Sequence, residues 1–467
     1  MLIITYEMDE EFATNPILKE AQSIGKFRGL KAALDYVFAD RRVQLAMMND
    51  MVPAGSEALW NGRPAMPLLV TGRLAVLKRL MGWAYRTMEE EVRTNIGWRW
   101  VSGIYSELVP GFRTMQNREA MFTQRTLELI NKRVTNCAVE VNLTSGTKMR
   151  MDGSETDCDI HYPTDSSLLD DSARVLSRTF KRASKLVQPE GAEEQAWFRD
   201  RHRQAHGLAW KIAKQARKTD KSSPKAYAQL LTIVDLLIEQ SHQVQLRLAK
   251  LKGQAARKLS AVLEHYVPLV QQVVQQTKQR LIHKVKVPAS EKLLSLFEPH
   301  TDIICRGKAK PKETEFGHKV WFSEVDGGFI SEFRILEGNP SEDRFVIPAI
   351  KHHCKLFAHP PTDCAGDRGL HSDENERQAK ALGVKHISLP KPGYRSPQRQ
   401  RYEHQAWFRA AQRFRNGIEG RISQLRRARK LDRCLNVGWE GFQRWVGWGV
   451  IANNIALLAS HFAKLTS

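Results

Sequence analysis

From Ser172 to Pro299 the chain reads as helix, and this stretch separates a strand-like segment, Lys148 to Asp152, from the next strand-like runs at Gly317 to Val325 and Phe329 to Leu336. A lone strand leaves its backbone donors and acceptors unpaired, and a two-stranded hairpin is only marginally stable in water. The early strand must therefore pair with segments far along the chain. The helical stretch is then an insertion after the first strand of an α/β fold.

Within the insertion, Ser223-Pro224 predicts a helix start, because proline at the first helical position gives up only an amide that had no partner. Leu230, Ile233, Val234, Leu237 and Ile238, and later Val262, Tyr266, Leu269, Val270, Val273 and Val274, recur at three- and four-residue spacing. A helical hairpin or coiled arm follows. Between Arg201 and Lys225 stand eight Lys/Arg and one acid, Asp220, so the arm is either a solvated basic face or a contact for a phosphate backbone.

Beyond the insertion, Asp326-Gly327-Gly328 is hairpin turn chemistry joining the two apolar runs. A helix is predicted from about Ser341 to Phe357, with Pro348 pushing its start later. Thr362 to Ala365 reads as a brief strand followed by Asp367. Ser372 and Asp373 cap a helix that Gly383 ends, Val384 to Leu389 is another strand closed by the loop Pro390 to Gly393, and Tyr402 to Lys430 is a long basic helix.

Up to Val141 the chain reads as helices broken at Gly and Pro. Thr87-Met88-Glu89-Glu90 has the capping-box pattern and predicts a helix start there, with Gly97 as its stop. Leu68, Leu69, Leu74, Leu77, Leu80 and Met81 predict a helix just upstream, with Arg73, Lys78 and Arg79 on its exposed side. Two short helices around Gly82 form either a helix-turn-helix or part of a plain helical bundle.

The 467 residues carry 72 Lys+Arg against 51 Asp+Glu, a formal charge of +21. A polyanion is the natural partner, and nucleic acid leads over an anionic membrane surface. The acidic start, with Glu7, Asp9, Glu10 and Glu11, is not a signal peptide. Trp445 to Leu458 is shorter than the ~20 residues a spanning helix needs and contains Asn453 and Asn454, so it reads as a buried helix. The six cysteines form no C-x-x-C pair, which fits a reducing, cytoplasmic setting. His352, His353, Cys354, His359 and Cys364 cluster in sequence without the paired spacing of a structural zinc site, and ordinary core and surface roles fit them better.

Strand, hairpin, helix, strand, helix, strand, helix is the element order of an RNase H-like core once the insertion is removed. In that order Asp152 lies on the first strand, Asp367 just beyond the fourth, and Glu419 on the closing helix. Magnesium is usually held by few carboxylates together with substrate phosphate, and two such ions suit displacement at phosphorus. Taken singly, each acid is no more than a solvated or capping residue. Their joint order carries the reading, although Glu155, Asp157 and Asp159 compete with Asp152. Asp165, in a turn after Pro163-Thr164, His318 and Arg368 are further polar residues near the acids.

Five segments, Lys148-Met149-Arg150-Met151-Asp152-Gly153, His161 to Ser166, Glu315 to Val320, Gly366-Asp367-Arg368-Gly369 and Arg413 to Gly420, together resemble the DDE transposases of bacterial insertion sequences, nearest the ISNCY-like group. The resemblance spans roughly residues 60 to 460. Related transposases carry Tyr, Arg, Glu and Lys along the last helix. Here the Arg falls on Arg415, the Glu on Glu419 and the Lys on Arg426, whereas Gln412 occupies the Tyr position. Gly417 and Gly420 beside the acid imply either close approach of DNA or tight helix packing.

The resemblance implies a transposase that binds terminal inverted repeats, cuts a strand and joins the freed 3′-hydroxyl to target DNA. Asp152, Asp367 and Glu419 would hold two Mg²⁺, with Mn²⁺ able to substitute. From Pro390 to Arg433 there are 13 Lys/Arg and three acids, and Arg415, Arg426, Arg368, Arg413 and Arg421 are the candidate DNA contacts. The expected domains are 1–141, helical and DNA-binding; 142–171 with 300–467, the RNase H-like catalytic domain; and 172–299, the basic helical insertion. Double-stranded DNA as partner, a homodimer in the synaptic complex and a nucleoid-associated location follow. An RNase H-like nuclease without strand transfer, or a non-catalytic DNA-binding descendant, are the alternatives.

Overall fold

The first strand does not stop at its carboxylate. In this computed structural model, which describes residues 2–52, 65–186, 199–219, 223–305 and 314–465, β1 spans Lys148–Cys158, and Asp152 lies within it. Two compact units divide the chain: Met1–Cys158 with Gly317–Ser467, and Asp159–Phe316. The predicted insertion lies inside the second unit.

Helices α1 (Glu10–Thr14), α2 (Pro16–Ser23), α3 (Gly25–Phe38), α4 (Arg41–Met51), α5 (Leu68–Met81), α6 (Tyr85–Thr94), α7 (Ile96–Ser102), α8 (Phe112–Glu119) and α9 (Gln124–Glu140) precede β1. Two boundaries differ from the sequence reading. Thr87 lies inside α6, whose N-cap Ala84 offers no side-chain acceptor. Gly97 lies inside α7, started by Asn95, whose side chain accepts from Trp98 N. Glycine is needed there because a Cβ would come within 2.7 Å of the Phe27 ring. A larger correction concerns α5, whose three cations are buried rather than exposed. Arg73 pairs with Asp35, Lys78 with Glu119, and Arg79 donates to the Arg429 carbonyl while its guanidinium lies 3.8 Å from the Trp445 ring centroid. With α4, α7, α8 and a C-terminal helix packed around it, α5 has no free face. The bundle reading describes it, not a freely presented helix-turn-helix.

The second unit is built on α10 (Asp165–Ser184), α11 (His202–Thr219), α12 (Pro224–Ala249) and α13 (Gln254–Leu281), with a short strand β2 (Asp302–Cys305) after them. Thr164 caps α10 through a reciprocal bond with Ser167, and Asp165 at the first helical position pairs with Arg280. Pro224 opens α12 as predicted. Leu230, Val234 and Leu237 of α12 pack with Val270 and Val273 of α13 and with Leu176 and Phe180 of α10. Each fully buried aliphatic side chain contributes about 1.5–3 kcal/mol, so the three- and four-residue spacing is the source of this core. Asp220 and Lys221 lie outside the described residues.

The sheet of the first unit adds β3 (Thr314–Val325), β4 (Ile330–Leu336), β5 (Asp363–Ala365), β6 (His386–Ser388) and β7 (Arg433–Cys434). Its lateral order is β4-β3-β1-β5-β6, with β7 beside the far end of β1. β1 and β3 are antiparallel, as are β3 and β4; β5 runs parallel to β1, and β6 to β5. The β3–β4 connection needs its glycines: Gly327 and Gly328 have φ of 80° and 83°. Helices α14 (Val346–Phe357), α15 (Asp373–Ala381), α16 (Pro397–Glu403), α17 (Ala406–Ala428) and α18 (Trp439–Leu465) complete the unit. The predicted basic helix from Tyr402 is thus two helices, separated where Gln405 takes an extended N-cap conformation.

Alternation along β1 sorts its side chains. Met149 and Met151 enter a core with Trp321, Ile350, Cys364 and Ile387, whereas Arg150 and Asp152, two residues apart, share the opposite face. α17 packs across β1, β5 and β6. By length and composition α18 could cross a membrane, yet 67% of its most apolar window is buried inside the protein. Asn454 explains its polar interruption: Oδ1 accepts from Ile330 N at 3.0 Å and Nδ2 donates to Ile330 O at 2.8 Å, tying the helix to the start of β4.

Candidate active site

Parallel pairing brings two of the three predicted acids together. Arg150 stands opposite Ala365, so two residues further along each strand Asp152 and Asp367 leave neighbouring strands at the same level. Asp367 follows β5 as the N-cap of a 3-10 turn, Arg368–Leu370. From α17, Arg415 donates through Nη2 to Asp152 Oδ2 at 2.9 Å and through Nη1 to Glu419 Oε1 at 2.9 Å. The i,i+4 spacing of Arg415 and Glu419 on one helical face makes the second bond local. Glu419 remains 66% exposed, against 13% for Asp152, so the acids differ in setting: two sheltered on the sheet, one reaching from solvent.

Burial raises Asp152 to about 6, with Asp367 and Glu342 pushing the same way and Arg415 opposing them. Asp367 is raised by burial and by Glu342, again against Arg415. Carboxylates that repel one another and are short of water gain from an added cation. Asp367 Oδ1 is buried without a hydrogen-bond partner, an acceptor left open for a ligand. Oxygen-only donors, one orphaned buried oxygen and mutual repulsion are the chemistry a hard divalent ion selects. The residues present fit such an ion.

Glu342 was not anticipated from the sequence. It opens the 3-10 turn before α14, pairs with Lys319 of β3 at 3.0 Å, and lies over Gly153, where a Cβ would come within 2.6 Å of its Oε2. Nothing local marks it, since an acid ahead of a helix is ordinarily a cap or dipole partner. Gln412 was identified only as a departure from a tyrosine position. Its Nε2 donates to Ser388 O at 2.9 Å, Ser388 Oγ at 2.9 Å and Gly366 O at 3.3 Å, which fastens α17 to the ends of β5 and β6 beside Asp367.

The five candidate arginines divide. Arg368 and Arg413 are exposed on the wall of a cleft of about 610 Å³ that also takes in Asp367, Arg395, Arg409 and Arg415. Arg415 is engaged between the acids. Arg421 reaches buried Glu324, which also receives Arg150, and Arg426 holds buried Glu155 at 2.7 Å. Glu155 and Asp152 are thus each paired with an arginine of α17, but of the two it is Asp152 whose carboxyl is raised by Asp367. Gly417 is explained by packing, for a Cβ there would meet Arg150 Nη1 at 2.2 Å, while Gly420 faces open space.

Among the described residues, His352, His353, Cys354, His359 and Cys364 form no common ligand set. His353 Nε2 instead bonds the Gly146 carbonyl at 2.9 Å, and Cys364 is buried in the sheet core. No curated protein and no solved structure matches the chain. Residues 32–119, which run from within α3 to the end of α8 and include none of the three acids, match the family described as Transposase domain (DUF772), and this match supports a transposase family.

Proposed function

We propose that the protein is a DDE-type DNA transposase whose sheet and α17 form an RNase H-like catalytic core. The observation that carries this is the meeting of Asp152, on β1, with Asp367, two residues beyond the end of the parallel neighbour β5, beside Arg415, which binds both Asp152 and Glu419. The strand order β4-β3-β1-β5-β6, antiparallel on one side of β1 and parallel on the other, supports the core assignment. The family match at 32–119 supports transposition over general nuclease action.

In this reading Asp152, Asp367 and Glu419 would hold two Mg²⁺, or Mn²⁺ in their place, and the ions would supply activation of the attacking oxygen and charge stabilisation at phosphorus. Arg368, Arg395, Arg409 and Arg413 bind the phosphates of an element end along the cleft, their planar forks matching phosphate oxygens. Arg415 balances the acids in the free protein. Gln412 keeps α17 seated on the strand ends, so that Glu419 holds its place relative to Asp152 and Asp367. Strand cleavage breaks the bond from phosphorus to the 3′ oxygen, with water as nucleophile; the freed 3′-hydroxyl then attacks a target phosphorus and displaces the target strand's own 3′ oxygen, which leaves as a new 3′-hydroxyl. The N-terminal helices and the basic arm, with Arg203, Lys211, Lys214 and Arg217 on α11, bind DNA outside the cleft, and two protomers pair the two ends.

The test is an assay on a DNA duplex carrying a marked element end. The native protein with Mg²⁺ yields nicked and strand-transfer products; Asp367→Asn yields neither and still shifts the DNA in a gel. Cleavage by Asp367→Asn at the native rate would overturn the assignment, and cleavage by the native protein without joined products would make it a nuclease.

A further inference from the structure

We propose that Asp170, His202 and His206 form a binding site for a zinc-class divalent ion, joining α10 to the first turn of α11 in the helical unit. The three side chains each offer a ligand atom, and these atoms all lie within 4.8 Å of one another. His202 and His206 are four residues apart on α11, so one helical face presents both imidazoles, with ring centroids 6.0 Å apart. Asp170 comes from α10, which packs against α11.

The carboxylate addresses both rings. Asp170 Oδ2 is 2.8 Å from His206 Nδ1, and Oδ1 is 3.8 Å from His202 Nε2. Oδ1 is buried and has no hydrogen-bond partner. A simple His206–Asp170 pair accounts for Oδ2 alone. It leaves Oδ1 unsatisfied, and it leaves His202 facing that oxygen at a distance too long for a hydrogen bond. An ion between the three groups satisfies all of them. Two imidazoles and one carboxylate are a donor set suited to zinc and its transition-metal neighbours, and poorly suited to magnesium, which prefers oxygen alone. His206 is largely exposed and Asp170 mostly covered, so the fourth position opens to water. The class of ligand, the residues and the unit all differ from those of the acid cluster on the sheet.

The site is tested in the full-length, tag-free chain carrying Asp152→Asn and Asp367→Asn, which removes the acid pair as a competing metal site. Co²⁺ titration followed by visible absorption, and Zn²⁺ competition against it, are expected to show one stoichiometric site with the spectrum of a nitrogen- and oxygen-ligated ion. His202→Ala and His206→Ala should each lower the affinity at least about tenfold. Asp170→Asn retains an oxygen acceptor for the His206 N–H and removes the charge; it should weaken the metal by a similar factor while leaving the metal-free unfolding temperature close to that of its parent. A chain that takes up no Co²⁺, or one whose Co²⁺ spectrum and affinity are unchanged in all three variants, overturns the proposal.

Discussion

Arg415 donates to Asp152 Oδ2 at 2.9 Å, so the guanidinium already balances an acid that burial and Asp367 raise to about 6. A divalent ion entering between the acids competes with it. In Arg415→Gln this competitor is gone, and Mg²⁺ should raise the unfolding temperature by more than it does in the native protein, since ligand binding to the folded state stabilises in proportion to affinity. Differential scanning fluorimetry with and without Mg²⁺ measures this. An equal or smaller rise in the variant would remove Arg415 from that role.

Gly153 and Glu342 should behave as a coupled pair. A methyl group at 153 would press on the Glu342 carboxylate at 2.6 Å, displacing it from Lys319. Gly153→Ala is expected to cost about 1–3 kcal/mol in urea unfolding. In the background of Glu342→Ala the same substitution should cost less, a coupling of about 0.5 kcal/mol or more. Additive losses would mean that the strand, not Glu342, resists the methyl.

Gly417 and Gly420, three residues apart on α17, should respond in opposite directions. Gly417→Ala forces Arg150 away from the Phe414 carbonyl and from buried Glu324, and should cost on the order of 3 kcal/mol because a buried acid loses a partner. Gly420→Ala meets nothing within 4 Å and should gain up to about 1 kcal/mol of helix propensity. Chemical denaturation of the two variants decides it; destabilisation by both would contradict the packing account.

His353 predicts an acid-sensitive step in stability. Burial lowers it to about 4 from its ordinary 6.5, and its Nδ1 is buried with no partner, so a second ring proton has no acceptor. The unfolded chain binds that proton below pH 6.5 and the folded chain only below about 4. The stability it contributes is therefore complete above pH 6.5, falls as the pH drops, and is lost by about pH 4, a total of about 3 kcal/mol. His353→Gln should flatten the stability profile across that window. An unchanged slope would show that other groups set it.

Local chemistry alone determined much of the element order: the hairpin around Asp326-Gly327-Gly328, the Ser372 cap, the Pro224 start and the apolar spacing of α12 and α13 all act within a few residues, where propensity and turn geometry dominate. Asp152, Asp367, Glu419 and Arg415 became one candidate set only through the expected element order and the resemblance to DDE transposases, since each taken singly has an ordinary solvated or capping role. What sequence could not reach were the long-range pairings. Arg73, Lys78 and Arg79 look like a solvated face until Asp35, Glu119 and Trp445 arrive from elsewhere to bury them. Arg421 and Arg426 stand in the sequence as cations without partners, and the fold supplies Glu324 and Glu155. Glu342 carries no local mark at all. A charge's role depends on which partner lies within a few ångströms and how much water remains, and only the packed chain decides both.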